Sequence, residues 1–447
     1  EALLLKALDD PDPFTRQAAR VGMARSVTPD RLFALLRHET PSVRLGALLT
    51  LRETGAPADR AVAVGLTDAD PSVRFAAVEW VGDEKLAAYR EALREGLASK
   101  AETRQLFEAY LAALERLDGE KRGPKDEQAG EGYVAALVAD PKTPPAVLRR
   151  ALRMLRPDHP VLTPDRLAGL IASSDPGLRL EAVRTLRDGT LPTRFDTLAR
   201  LAADRNEPAA VRAEAVVGLA ADAEARRATL LNLAEGDDQA LRHESLRSLR
   251  GVNLTPEEQA RVAKAGAGDD ETAPLLALLA GPKADATSPA SEPLAAWLAR
   301  LEGAADPAAG ERVFFHPKGP GCFRCHQIDG RGGRVGPDLS TTPAALTRER
   351  LVESVVDPSK EVAPQFVAWL VARKDGTVFT GTLLDESSAG VQTYADAQGR
   401  LITVAAGDVD DRRPQAASIM PADLARLMTP REFRDLVAFL RGRPAGR

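Results

Sequence analysis

A four-residue apolar pattern recurs from Val43 to Leu249, and nothing else in the chain constrains its fold as tightly. Val43, Ala47, Leu48 and Leu51 return at the same offsets as Val73, Ala77, Val78 and Val81, then as Val147, Ala151, Leu152 and Leu155. Further copies are Leu178, Ala182, Val183 and Leu186; Val211, Ala215, Val216 and Leu219; and Leu241, Ser245, Leu246 and Leu249. These offsets put all four side chains on one face of an α-helix, so each copy predicts one amphipathic helix.

In most copies an arginine follows the first apolar residue, at Arg44, Arg74, Arg179, Arg212 and Arg242. Capping residue and proline mark helix starts at Asp12-Pro13, Thr40-Pro41, Asp70-Pro71 and Asp175-Pro176. Neighbouring copies lie about 30 residues apart, room for two short helices and their turns. The pattern resembles the short bacterial HEAT-like repeat, which implies an α-solenoid over residues 1–280, each helix pair burying its apolar face against its neighbours. The stretch from Glu84 to Tyr133 departs from the pattern and is expected to be a modified repeat pair with an insertion. The recurring arginines are expected to be solvated or to pair within their repeat with aspartates such as Asp70 and Asp175.

Periodicity is lost between Gly281 and Pro293, where small, polar and proline residues take over. This predicts a linker, with a connecting helix around Trp297, over residues 281–305. The whole chain has 44% hydrophobic but only 4% aromatic residues, which favours helices packed through small side chains. Its net charge of -5 offers no basic face for nucleic acid, and no apolar run is long enough to span a bilayer. Beginning at Glu1 without a signal-peptide pattern, it is expected to be a piece of a longer product with an export signal upstream.

The only two cysteines stand in Cys322-Phe323-Arg324-Cys325-His326, the spacing of a c-type haem attachment motif. Two thiols a turn apart can each form a thioether to a haem vinyl group, and the adjacent imidazole can reach the iron. A structural zinc site would want four ligands, yet no other cysteine exists and His38, His159, His243 and His316 are scattered. A thioredoxin-like pair would open a helix after a strand, whereas a Gly/Pro-rich loop from Pro317 to Gly321 precedes this motif. A local disulfide leaves His326 without a role.

After His326 come Gly336-Pro337-Asp338-Leu339, then Ser418-Ile419-Met420-Pro421 and a final helix from Pro430 to Leu440, with Thr429 and Glu432 placed for a capping box. With a helix opening at Asp306-Pro307 and running through Gly310, Val313 and Phe314, this order is similar to class I cytochromes c. The resemblance covers about the last third of the chain, residues 306–447. It implies Cys322 and Cys325 as attachment sites, His326 as proximal ligand, the Pro337 carbonyl as acceptor from the other ring nitrogen, and Leu339 on the haem face. Met420 would be the distal ligand, with Met428 and His316 as fallbacks. Arg331, Arg334, Arg412 and Arg413 are candidates for haem propionates, each more simply explained by solvation.

Between Leu339 and Met420 the chain is longer than a ligand loop needs. The segments Phe366–Arg373, Val378–Leu384, Val391–Ala395 and Leu401–Val404, set off by turns at Asp375-Gly376 and near Gln398-Gly399, read as strands and predict a small inserted β-sheet at about 366–405. A helix from Leu346 to Val356 should precede it and end at Asp357-Pro358-Ser359. Together with Lys374-Asp375-Gly376 and Gly381-Thr382-Leu383, these motifs resemble the Pirellula/Verrucomicrobium-type haem-binding domain of Planctomycetes and their relatives. In that family the domain commonly follows HEAT-like repeats and an upstream β-propeller resembling sugar dehydrogenases. The fold class expected is therefore mainly α: a HEAT-like α-solenoid followed by a class I cytochrome c-like domain with an inserted β-sheet.

The function implied is extracytoplasmic, periplasmic electron transfer through one His/Met-ligated haem c, serving an upstream dehydrogenase domain or a redox partner protein. No catalytic constellation is legible in the chain itself. The alternatives are a haem-based ligand sensor or peroxidase-like enzyme with an open iron position, and a protein-binding scaffold. Lys plus Arg nearly balance Asp plus Glu after Asp306, so no charged docking face names the partner.

Overall fold

The computed structural model describes residues 1–101, 103–119, 130–279, 292–341 and 346–443. Residues 280–291, which hold most of the Gly281–Pro293 stretch, and residues 120–129 inside the Glu84–Tyr133 stretch lie outside the described residues. The chain is mainly helical, with a small antiparallel sheet near its C-terminus. It divides into two compact units, one of Glu1–Leu155 with His159–Arg166 and one of Arg156–Asp158 with Leu167–Arg447. Among the described residues no helix is long and apolar enough to cross a membrane.

The first unit stacks helix pairs. Pro13–Ser26, Pro41–Glu53, Pro71–Asp83 and Arg104–Asp118 pack successively, and the shorter Pro29–Leu35, Ala58–Gly65 and Arg90–Ser99 each cover the helix that follows. The repeating apolar quartets are the reason, for every residue of all six is buried. The divergent stretch continues the stack: Arg104–Asp118 buries Leu106, Phe107, Tyr110, Leu111 and Leu114 in place of the repeat quartet.

The second unit begins with the same arrangement. Pro176–Asp188, Ala209–Leu219, Gln239–Ser248 and Thr272–Ala277 pack in succession, with Arg194–Ala203, Arg227–Ala234 and Pro256–Ala265 alongside. The recurring arginines differ from expectation. Asp70 and Asp175 accept from the backbone N–H groups of Ser72 (2.8 Å) and Leu178 (2.6 Å), so their carboxylates cap their own helices. Arg44, Arg179, Arg212 and Arg242 reach the following repeat instead. Arg44 Nε lies 2.8 Å from Asp68, Arg242 Nη1 3.4 Å from Asp269 and Arg212 Nη1 3.8 Å from Asp238, while Arg179 pairs with Glu207. Arg44, Arg74 and Arg242 also have carbonyls in reach on the preceding turn, as Arg44 Nη1 has at His38 (2.8 Å).

Beyond residue 292 of the second unit, Pro307–Phe315 crosses the final helix, Pro430–Arg441. The crossing is close because position 310 is glycine: a Cβ there would collide with the Asp435 carbonyl. Leu294–Arg300 packs on Arg348–Val356, which packs on the final helix. Trp297, Phe314, Phe315, Val352, Phe433 and Leu436 form the centre of this core. The Thr429–Glu432 capping box is present as the sequence predicts.

Two short strands, β1 (Gln327–Ile328) and β2 (Arg331–Gly332), pair after the cysteine motif. The larger sheet comprises β3 (Ala368–Arg373), β4 (Val378–Glu386), β5 (Val391–Ala395), β6 (Leu401–Ala405) and β7 (Val409–Pro414), in the order β6-β5-β4-β3-β7. Four of these match the strand segments read from the sequence. The fifth carries the insertion past 405 to 414; its Val-Asp-Asp-Arg-Arg-Pro sequence has no apolar alternation because it is a mostly exposed edge strand, held by backbone pairing to β3.

Candidate functional site

Gly321, at φ 72°, turns the chain into a short 3-10 turn over Cys322–Arg324, and the N–H of His326 closes it on the Cys322 carbonyl at 2.9 Å. Both cysteines are free and half-buried. Burial pushes the Cys322 thiol up to about 12 and raises that of Cys325, to which nearby Asp396 adds. Both are therefore protonated at neutral pH, unlike a thioredoxin-type pair, which depends on a lowered thiol pKa.

The segment after β2 wraps this turn. The N–H of Gly333 donates to Phe323 O at 2.7 Å, that of Gly336 to Cys325 O at 2.8 Å and that of Leu339 to Gln327 O at 2.8 Å. The wrapping fixes His326. Its Nδ1 lies 2.9 Å from the Pro337 carbonyl, which can only accept, so the proton sits on Nδ1 and the lone pair on Nε2. Burial lowers the pKa of the ring, partly offset by that carbonyl, and keeps it neutral. The ring packs on the backbone of Gly336, where a Cβ would come within 2.6 Å of Cε1.

The structure thus brings Cys322, Cys325, His326 and Pro337 together, and Leu339 packs half-buried on the same core as Cys322 and Phe323. Met420 is half-buried between β7 and the final helix and is not among the side chains packed on that core. Its N–H donates to Ser418 Oγ (3.1 Å), and the Ser418 N–H to Ser359 Oγ (3.1 Å), so the Asp357-Pro358-Ser359 corner anchors the methionine segment. The two fallback ligands serve structure: Met428 is buried in the core, and His316 is wholly buried with both ring nitrogens engaged. His316 Nδ1 accepts from the Lys318 N–H at 3.0 Å, leaving Nε2 to donate to Ser248 Oγ at 3.2 Å. Burial and the Arg247 and Arg250 charges hold its pKa well below the usual value. Among the described residues no three His, Cys, Asp or Glu side chains are grouped to hold a metal ion by themselves.

Of the four candidate arginines, Arg412 lies over the Trp369 ring at 4.4 Å, Arg413 pairs with Asp411 at 2.6 Å, and Arg334 is exposed. Arg331 is different. Its side chain is largely buried, with Nη2 2.8 Å from Glu181 and Nε 3.6 Å from Asp188, both on the repeat helix Pro176–Asp188.

That contact belongs to a buried ladder of charges that sequence reasoning missed. Arg184 lies 3.2 Å from Glu214 and 2.8 Å from Glu311; Arg312 lies 2.7 Å from Glu244; Arg250 lies 2.8 Å from Glu432, which also accepts from Arg247. Burial pushes the Glu214 and Glu432 carboxyls up, but the guanidinium groups around them prevail and hold both below the usual range, Glu432 at about 2. A signal existed. The residue just before the central apolar pair is Gly46, Ala76 or Arg150 in the earlier repeats, but Glu181, Glu214 and Glu244 in the later three.

No protein-family model matches the chain, and no curated protein does. Among solved structures, the human deoxyhypusine hydroxylase in complex with glycerol is similar at 19% identity, over 56% of this chain and 94% of that one, with a TM-score of 0.23.

Proposed function

We propose that residues 306–447 are a class I cytochrome c-like domain of the Pirellula/Verrucomicrobium type, carrying one covalent haem c and transferring electrons in an extracytoplasmic compartment. One observation carries the reading: directly after two unpaired thiols on one turn, a neutral imidazole is held by the Pro337 carbonyl with its Nε2 lone pair available. A ligating histidine is normally held in this way through its other nitrogen, which sets its tautomer and strengthens it as a donor.

Haem c bound there would supply one-electron chemistry at iron. The chain's residues have separate tasks. Cys322 and Cys325 would attach the group, and His326 would ligate the iron. Pro337 keeps the proton on Nδ1, and Gly336 lets the ring pack close to the backbone. Leu339 would cover the haem, and Met420, on the segment tied to Ser359, would be its second protein ligand. The repeats of the second unit hold this domain and offer a surface to the electron donor, an upstream dehydrogenase domain or a separate redox partner.

The test is expression of the chain with a c-type maturation system in a bacterial periplasm, followed by intact-mass measurement and haem staining after denaturation. One haem per chain that survives acid-acetone extraction, and is lost in a Cys322→Ala/Cys325→Ala variant, is expected. A chain that emerges without haem, or with haem that extracts, contradicts the proposal.

A further inference from the structure

Arg331 stands at the entrance to the segment that grips the cysteine motif. It pairs with Ile328, and its neighbour Gly332 with Gln327, the residue after His326. Here the backbones press together: a Cβ on Gly332 would collide with the His326 carbonyl, and one on Gly333 with the Arg324 carbonyl. The same segment goes on to Gly336 under the imidazole and Pro337 at Nδ1. Whatever fixes Arg331 therefore fixes the clamp that orients His326.

The fixing groups come from the repeat helix Pro176–Asp188. Glu181 and Asp188 receive the Arg331 guanidinium and are braced by Arg184, at 3.5 Å from Glu181, and Arg187, at 2.7 Å from Asp188. We infer that Arg331 is a positioning residue for His326, and that Glu181 and Asp188 of the repeat helix act through it to set the orientation and tautomer of the proximal imidazole. The inference rests on the proposed role of His326, and it assigns the repeat a part in tuning the site. Arg331 is thereby committed to the repeat and not to a haem propionate.

The test uses the whole chain, haem-free and reduced, with isotopically labelled histidine, read by long-range proton–nitrogen NMR. Wild type should show His326 as a single Nδ1–H tautomer and His316 as the opposite, Nε2–H, tautomer. Arg331→Ala should leave His316 unchanged while His326 becomes an average of the two tautomers. Should that variant not fold, Glu181→Gln and Asp188→Asn, which keep side-chain shape, should in combination give the same selective change, and Arg331→Lys a smaller one. In haem-loaded protein the midpoint potential should rise in each variant, because an imidazole that loses its carbonyl partner is a weaker donor. A His326 tautomer untouched by the substitutions, or averaging of His316 and His326 together, would overturn the inference. Failure of wild type to attach haem would overturn the functional reading instead, and the tautomer measurement is independent of that result.

Discussion

Glu271 lies buried beneath the N-cap of the final helix, where the Thr429 hydroxyl donates to it. Burial, with Glu432 close by, raises its pKa to about 7. A carboxyl that holds its proton more tightly folded than unfolded favours the folded state at low pH, and this contribution is lost as pH rises from about 4.5 toward 7. Glu271→Gln should therefore flatten the fall in stability across that window, with a gain over wild type above it, as read by urea denaturation at several pH values. Glu432 acts oppositely. Its pKa of about 2 makes its contribution fully present above the ordinary carboxyl range and lost as acid protonates it. Gly336→Ala tests the close approach at the histidine: a methyl group under the ring should cost about 1–3 kcal/mol and displace His326. Unchanged denaturation and an unshifted imidazole would contradict that packing. These residues differ in how far the sequence announced them. Cys322, Cys325, His326 and Pro337 form a local motif whose geometry follows from short-range backbone pairing, whereas Glu271 is a surface-type residue until the final helix covers it.

At the scale of elements, the repeat helices were legible because their apolar quartets report burial directly, and β3 to β6 because short runs rich in β-branched and aromatic residues are set off by Asp-Gly and Gln-Gly turns. β7 was not, since an edge strand of charged residues resembles a loop until β3 supplies its hydrogen bonds. The Arg–Glu ladder was hidden for a related reason. A charged residue on a helix is ordinarily solvated, and only the packing of Pro307–Phe315 and Pro430–Arg441 on the repeat helices turns Glu214, Glu244 and Glu432 into buried partners. Removing one side of such a pair strands the other. Glu432→Ala, which leaves Arg247 and Arg250 buried without it, should cost about 3–5 kcal/mol in chemical denaturation. Thr429→Ala, which removes a helix cap and a partner of Glu271, should cost about 0.5–2 kcal/mol. The reverse order would show that the ladder is not what joins these helices.

Across the second unit, the ladder makes the late repeats and the residues after Asp306 one cooperative body, which predicts a shared unfolding event. In native-state hydrogen exchange, amides of Ala209–Leu219 and Pro430–Arg441 should open with the same limiting free energy and lose it together in Glu432→Ala. Independent values would divide the unit. The central claim concerns the iron site, and its most direct test is the optical spectrum of haem-loaded protein, oxidised and reduced, for wild type and Met420→Ala. Expected are a low-spin reduced spectrum and a weak ferric band in the far red, characteristic of methionine ligation, that disappears in the variant. A high-spin spectrum indifferent to the substitution would contradict it and leave the iron open to small ligands.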